Sequence, residues 1–334
     1  MCYTGHMNTS QKIVQYIQEH GQVAGSELVD YLTITDRAVR KQLKTLLDNG
    51  TVVKAGKPPR VYYSINRETS TANKGMDRTK SIDKITQQTI KDNFLYITPR
   101  GLMLEGLDGF NIWCQERQID PVKTASTYQK TMNKYLKYRE QDLIDGMYKM
   151  KSSFEAIALD EVFYIDFYAI EIFGKTKLGQ LLLVAKQSQN RKLINEIADI
   201  IEPSVLKIIR EYSIDGVGFI PPTVKRELQL IRQVQKRLNL DTRKLVINKV
   251  KTPVAVPQKT LNKIEDRITN AMETIVVEGN ESYGNILLID DAVGSGSTLN
   301  ETAKKIRQKG LCKGKIIGLA ITGSFKGFEV ISEV

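Results

Sequence analysis

The sequence predicts an α/β chain in two parts: a parallel-sheet domain preceded by a small basic unit of helices with a β wing. Three observations lead there. Residues 285–300, NILLIDDAVGSGSTLN, open with the apolar run Ile286-Leu287-Leu288-Ile289, which has the length and β-branched content of a buried parallel strand. Residues 10–65 read as helix, helix, turn, helix and β-hairpin, with cations on the outer side of the third helix. A length of 334 residues permits a full α/β core and more than one domain. The expected boundaries are a leader over 1–9, the small basic unit over 10–66, a linker over 67–91, a helical spacer over 92–155 and the parallel-sheet domain over 156–334.

Composition sets the partners. Lys and Arg number 49 against 38 Asp and Glu, a net charge of +11. That balance favours polyanions such as nucleic acid, or anionic metabolites. The three cysteines, Cys2, Cys114 and Cys312, lie far apart and form no CxxC pair. Disulfides and structural zinc are therefore not expected, which fits a reducing cytoplasm. No apolar run approaches the length of a membrane span, so no membrane partner is expected.

In order along the chain, residues 10–19 form an amphipathic helix with Ile13, Val14, Tyr16 and Ile17 on one side, and His20-Gly21 ends it. Residues 26–32 form a second helix with Ser26 as its N-cap. The third spans 36–48, with Val39, Leu43, Leu46 and Leu47 inward and Arg37, Arg40, Lys41 and Lys44 outward. Asn49-Gly50 stops it. Two strands follow, 51–53 and 60–65, around a basic Gly/Pro turn. The stretch SELVDYLTITDRAVRKQLKTLLDNGTVVKAG resembles the winged helix-turn-helix family. That resemblance implies a third helix in a DNA major groove, with Lys and Arg on phosphates. The implied DNA-binding residues are Thr35, Arg37, Arg40, Lys41 and Lys44, with Lys57 and Arg60 on the wing.

Residues 66–88 are polar and read as a linker. Residues 121–149 read as one charged helix, with Tyr128, Met132, Tyr135, Leu136, Leu143 and Met147 at helical spacing. It serves either as an oligomerisation helix, making a homo-oligomer, or as a helix packing on the domain that follows. Residues 162–173 are β-rich. Helices are expected over 178–185, 192–201, 227–238 and 299–309.

The stretch 285–300 carries the chemistry. Glycines let backbone N–H groups approach an anion, and a helix N-terminus favours negative charge. Ser295, Ser297 and Thr298 add hydroxyl donors, so the loop suits a terminal phosphate. Asp290 and Asp291 at the carboxyl end of the strand suit the two hydroxyls of a ribose. The absence of Gly-Lys-Ser/Thr excludes a P-loop. This run of four apolar residues, two acids, two apolar residues and a Gly/Ser/Thr loop resembles the signature of type I phosphoribosyltransferases, which bind phosphoribosyl pyrophosphate (PRPP). The resemblance implies a Rossmann-like parallel-sheet fold in which Asp290 and Asp291 hold the ribose hydroxyls and Mg²⁺. Val293, Gly294, Ser295, Gly296, Ser297 and Thr298 would hold the 5-phosphate. Several members place an acidic general base where this chain has Gly294.

Residues 167–201, FYAIEIFGKTKLGQLLLVAKQSQNRKLINEIADII, and 215–222, DGVGFIPP, resemble ComF-type phosphoribosyltransferases. By that resemblance Lys225 and Arg226 follow the pyrophosphate turn, although the family's usual Arg-Gly-Phe-Asn-Gln segment is missing. Residues 256–271, VPQKTLNKIEDRITNA, resemble the mobile flap, from which Gln258, Lys259, Lys263 and Arg267 would close on the pyrophosphate. Lys259 and Arg267 are thereby expected to act with Asp290 and Asp291 in catalysis, and Thr322 on the next strand would meet the substrate. The family's cysteine-rich zinc motif is absent. Together the resemblances imply a DNA-binding protein that transfers a phosphoribosyl group with release of pyrophosphate. The alternatives are a non-catalytic regulator that senses PRPP or a nucleotide, as in purine repressors with this order of parts, and an antiphage effector of the retron type.

Overall fold

The computed structural model describes residues 8–66, 82–222, 224, 226–250, 261 and 263–324. The chain divides into two compact units, Met1–Arg78 and Thr79–Val334.

The first unit contains α1 (Thr9–His20), β1 (Gln22–Ala24), α2 (Gly25–Leu32), α3 (Asp36–Asp48), β2 (Val52–Lys57) and β3 (Arg60–Ile65). Asn8 caps α1 through a reciprocal pair of hydrogen bonds with Gln11, each 2.9 Å. Ile13, Ile17, Leu28, Val39, Leu43, Leu46, Val23 and Val52 form the core, and of these Ile13, Ile17, Val39, Leu43 and Leu46 were expected from the helical periodicity. Four details differ from expectation, the first being that the wing strand expected over 51–53 runs from Val52 to Lys57. Ser26 lies inside α2, whose N-cap is Ala24, and the Glu27 carboxylate accepts from the Ala24 N–H at 2.8 Å. Leu47 is half-buried rather than core. The short β1 pairs with β3 to make a three-stranded sheet in the order β1-β3-β2. Its three residues, with only Val23 buried, were too short to signal a strand. At the wing, Gly56 has φ +87°, and a Cβ there would fall 2.2 Å from the Arg60 carbonyl oxygen. A glycine is needed for the hairpin to close.

The second unit begins with α4 (Lys84–Asn93), β4 (Leu95–Ile97), β5 (Met103–Glu105), α5 (Gly106–Glu116) and α6 (Pro121–Leu136). Then come β6 (Arg139–Glu140), β7 (Leu143–Asp145), α7 (Met147–Ser153), β8 (Glu161–Phe167), β9 (Ala169–Ile170) and β10 (Gly174–Lys175). α8 (Lys177–Ser188), α9 (Arg191–Glu211), β11 (Gly216–Phe219), α10 (Leu230–Leu238), β12 (Arg243–Leu245) and β13 (Ile247–Lys249) follow. The described chain closes with α11 (Ile264–Thr274), β14 (Ile275–Val277), β15 (Ile286–Val293), α12 (Ser297–Gln308) and β16 (Ile316–Gly323).

Seven strands form the main sheet in the order β12-β11-β15-β16-β8-β7-β6. The first five are parallel, and β7 and β6 are antiparallel. Alternate residues of β15 feed opposite faces. Ile286 and Leu288 belong to the core on one face, which also takes residues of α12 and α6, while Leu287 and Ile289 belong to the core on the other, with residues of α8, α9 and α10. The result is three layers, α/β/α.

The stretch before residue 156 corrects the reading of a separate linker and spacer. Residues 84–93, expected within the linker, are helical, with Asp83 capping α4 by accepting from the Thr86 N–H at 2.9 Å. The long helix expected over 121–149 ends at Leu136. Gln141 and Asp142 both take positive φ, +47° and +70°, the geometry of a two-residue hairpin turn. The hairpin β6–β7 then joins the main sheet at β8. Tyr128, Met132 and Tyr135 of α6 are buried in the unit's own core. The helices expected from residues 192 and 227 also shift. α9 runs on through Pro203 to Glu211 because Val205 and Ile208 continue its buried face. α10 starts three residues late, at Leu230.

Candidate functional site

Strand order reverses between β11 and β15. From β11 the chain moves outward to β12, then returns to place β15 on the other flank of β11 and continues to β16. Ligands of open α/β sheets bind in the crevice outside the carboxyl ends of strands at such a point. β11 ends opposite Ile289, and the Ile220 N–H donates to the Ile289 carbonyl at 2.8 Å. Beyond it β15 runs on through Asp290 to Val293 paired only with β16. The acid pair therefore meets open space on the β11 side.

A cavity of ≈ 230 Å³ opens there. Its wall includes Asp290, Asp291, Arg226, Arg267 and the whole loop Val293, Gly294, Ser295, Gly296, Ser297 and Thr298. Lys186, Lys249, Tyr168 and the apolar Leu182, Ile220 and Pro221 also line it. Lys225, Gln258 and Lys259 lie outside the described residues. Lys263 is exposed just before α11 and does not line the cavity. Thr322, expected at the substrate, is fully buried in the sheet between Ala292 and Asp166 and does not reach it. β16 is buried along its whole length.

The loop is shaped for its position. Gly296 has φ +85° and precedes α12, and a Cβ there would sit 2.4 Å from Met150 Sδ. A side chain here would have to displace Met150 of α7 and take a strained backbone angle. The Ser295 and Ser297 hydroxyls share a hydrogen bond of 2.8 Å, and the Ser297 N–H donates to Ser295 Oγ at 3.3 Å. The Asn300 carboxamide accepts from the Ala158 N–H at 2.8 Å and donates to the Ala156 carbonyl at 3.1 Å, tying the first turn of α12 down. The N–H groups in the first turn of α12 and its dipole make this end of the cavity a place for an anion.

The acid pair is electrostatically divided. Asp291 makes an ion pair with Lys186 at 2.9 Å. Asp290 keeps part of its surface on the cavity but lies deep among protein atoms. Burial, and then the neighbouring Asp291 charge, push its carboxyl up to about 7 against an ordinary 3.8, while its own hydrogen bond from the Asp291 N–H and the nearby Lys186 and Lys249 pull the other way. Lys249 is shifted downward by burial, with partial compensation from Asp290. Arg267 is also shifted downward by burial, and its Nε donates to the Leu261 carbonyl at 2.7 Å. Arg226 donates to the Lys186 carbonyl at 2.9 Å, bridging the end of α8 to the segment after β11. Four cations and two carboxylates thus line one cavity. No group of three or more His, Cys, Asp or Glu is placed to hold a metal ion among the described residues. Asp290 and Asp291 are the carboxylates of this cavity that could hold a divalent cation, although Asp291 is already tied to Lys186.

Sequence reasoning missed Lys186 and Lys249 as site residues. A lysine in the last turn of a helix reads as a dipole-complementing cation, which Lys186 on α8 also is. Lys249 ends a three-residue strand and carried no signal.

In the first unit, Thr35, Arg37, Arg40, Lys41, Lys44, Lys57 and Arg60 are all exposed. Positions 37, 40, 41 and 44 share one face of α3. Thr35 is the N-cap of α3, its hydroxyl accepting from the Ala38 N–H at 3.4 Å. Arg40 is held by Asp36 through contacts of 3.1 and 2.8 Å, so part of its charge is already answered. Lys57 and Arg60 face each other at the wing tip.

Residues 10–55 match the DeoR-like helix-turn-helix domain. The match covers the first unit alone, and it supports a DNA-binding winged helix there. No curated protein matches the chain. No helix among the described residues is long and apolar enough to cross a membrane.

Proposed function

We propose that this chain is a DNA-binding regulator whose α/β unit holds a 5-phosphorylated ribose of the PRPP class. The observation that carries the reading is the convergence of Asp290, Asp291 and the 293–298 loop with Lys186, Arg226, Lys249 and Arg267 on one crevice at the strand-order reversal. In this reading the carboxylates accept hydrogen bonds from ribose hydroxyls. The loop and the start of α12 take the 5-phosphate. The cations balance a pyrophosphate group. Mg²⁺ bound with the ligand would neutralise phosphate charge beside the acid pair. Gly294 offers no side chain to accept a proton, which favours binding without turnover.

A second reading, phosphoribosyl transfer, is favoured by the buried position of Lys249 and Arg267. Cations held in a low-dielectric wall would stabilise charge developing on a leaving pyrophosphate. Calorimetry with PRPP and Mg²⁺, duplex affinity with and without PRPP, and pyrophosphate release with a panel of nucleobases separate the two. Binding that shifts duplex affinity without release supports the regulator. Release of pyrophosphate supports the transferase. A protein that binds no PRPP overturns both.

A further inference from the structure

The cavity does not end at Arg226. It shares Pro221, Pro222, Arg226 and Lys249 with a neighbouring groove of ≈ 530 Å³ that runs along α10. That groove shares Phe219, Arg232 and Lys236 with a third hollow of ≈ 390 Å³, which reaches Lys244 on β12. The three openings share walls and run from the carboxyl end of β11 along α10 toward the amino end of β12.

The outer part of the path, along α10, is cationic. Arg232 and Lys236 stand one turn apart on the same exposed side of α10. Neither has an ion-pair partner among the described residues, and the same holds for Lys244. Arg237, on the other side of the helix, is paired with Asp199 at 2.7 Å. The helix therefore neutralises the cation that faces away and leaves the groove cations open. Glu227 is the one carboxylate among the described residues of the two outer hollows. Half-buried Phe219 and the prolines at 221 and 222 give the floor apolar surfaces between the charges.

We propose that this path binds a single-stranded nucleic-acid segment and leads its end to the phosphoribosyl cavity. A row of unpaired cations tracks a phosphodiester backbone, and apolar and aromatic surfaces accept unstacked bases. The inference rests on the PRPP reading only for what the strand approaches, since the groove's charge stands without it.

The test uses the full chain and fluorescence anisotropy with short labelled oligo(dT), oligo(U) and a duplex. Arg232→Glu with Lys236→Glu should abolish single-strand binding while duplex and PRPP binding persist. Lys244→Glu should weaken it. Lys41→Glu with Lys44→Glu on α3 should do the reverse, abolishing duplex binding and sparing the single strand. Neutralising Arg232 and Lys236 with alanine should lower the single-strand salt slope by about 1.4, the share of two phosphate contacts. Circular-dichroism melts confirm that each variant is folded. The proposal is overturned if the wild type binds neither oligonucleotide, or if binding survives the charge reversal. It is equally overturned if heparin fragments, which have no bases, bind as tightly and lose the same affinity. A wild type that binds no PRPP yet loses the single strand on charge reversal sinks the cavity reading and supports this one.

Discussion

Asp290 holds a proton near neutrality because burial and the Asp291 charge both oppose its ionisation. Accepting a ribose hydroxyl favours the ionised form, so PRPP affinity should rise as pH climbs through about 7. Asp290→Asn should flatten that dependence, as calorimetry across the range will show. Folding stability runs the other way. The folded carboxyl titrates above its ordinary 3.8, so between roughly pH 4 and 7 the native protein holds a proton the unfolded chain has released. Stability therefore falls as pH rises through that window. Relative to wild type, Asp290→Asn should melt higher at about pH 8 than at about pH 4. Losing both acceptors is more severe for binding. Asp290→Asn with Asp291→Asn should cost about 3 kcal/mol or more in PRPP affinity, roughly a hundredfold. Wild-type affinity in that variant removes the acid pair from the site. These two residues were legible in sequence because strand, acids and loop are contiguous. Lys186 and Lys249 were not, since only the fold brings residues so distant in the chain to one carboxylate pair.

At the scale of elements, α3 and the 293–298 loop carry the clearest tests. Alanine at Lys41 or Lys44 should each lower the salt slope of duplex binding by up to about 0.9. Arg40→Ala should change it less, because Asp36 already holds that guanidinium. Equal slopes for the three variants would contradict this division of labour. Gly296→Ala combines a positive φ with a collision on Met150. A cost of about 1–3 kcal/mol in stability is expected, read from the melting temperature. The span of α3 was legible to the residue, because its apolar positions follow one period and Asn49-Gly50 marks the stop. The break after α6 was not. Leu143 and Met147 continue the apparent helical spacing of Tyr128, Met132 and Leu136 across the turn, and Gln141-Asp142 contains no glycine or asparagine to betray it.

For the whole molecule, the parallel order of the last strands was legible from the β15 signature and the helices around it. Where the sheet ends was not, because β6 and β7 are two and three residues long. Their attachment to β8 decides what can be transplanted. β8 has β16 along one side, and on the other the hairpin covers Phe163 and Tyr164. A fragment starting at residue 156 would uncover that stretch as an apolar edge, the kind that seeks another chain to pair with. It would also discard Met150, the side chain that leans on Gly296. A swap of the DNA-binding part for another head must therefore cut near residue 78, and everything after that point travels together as one inheritance.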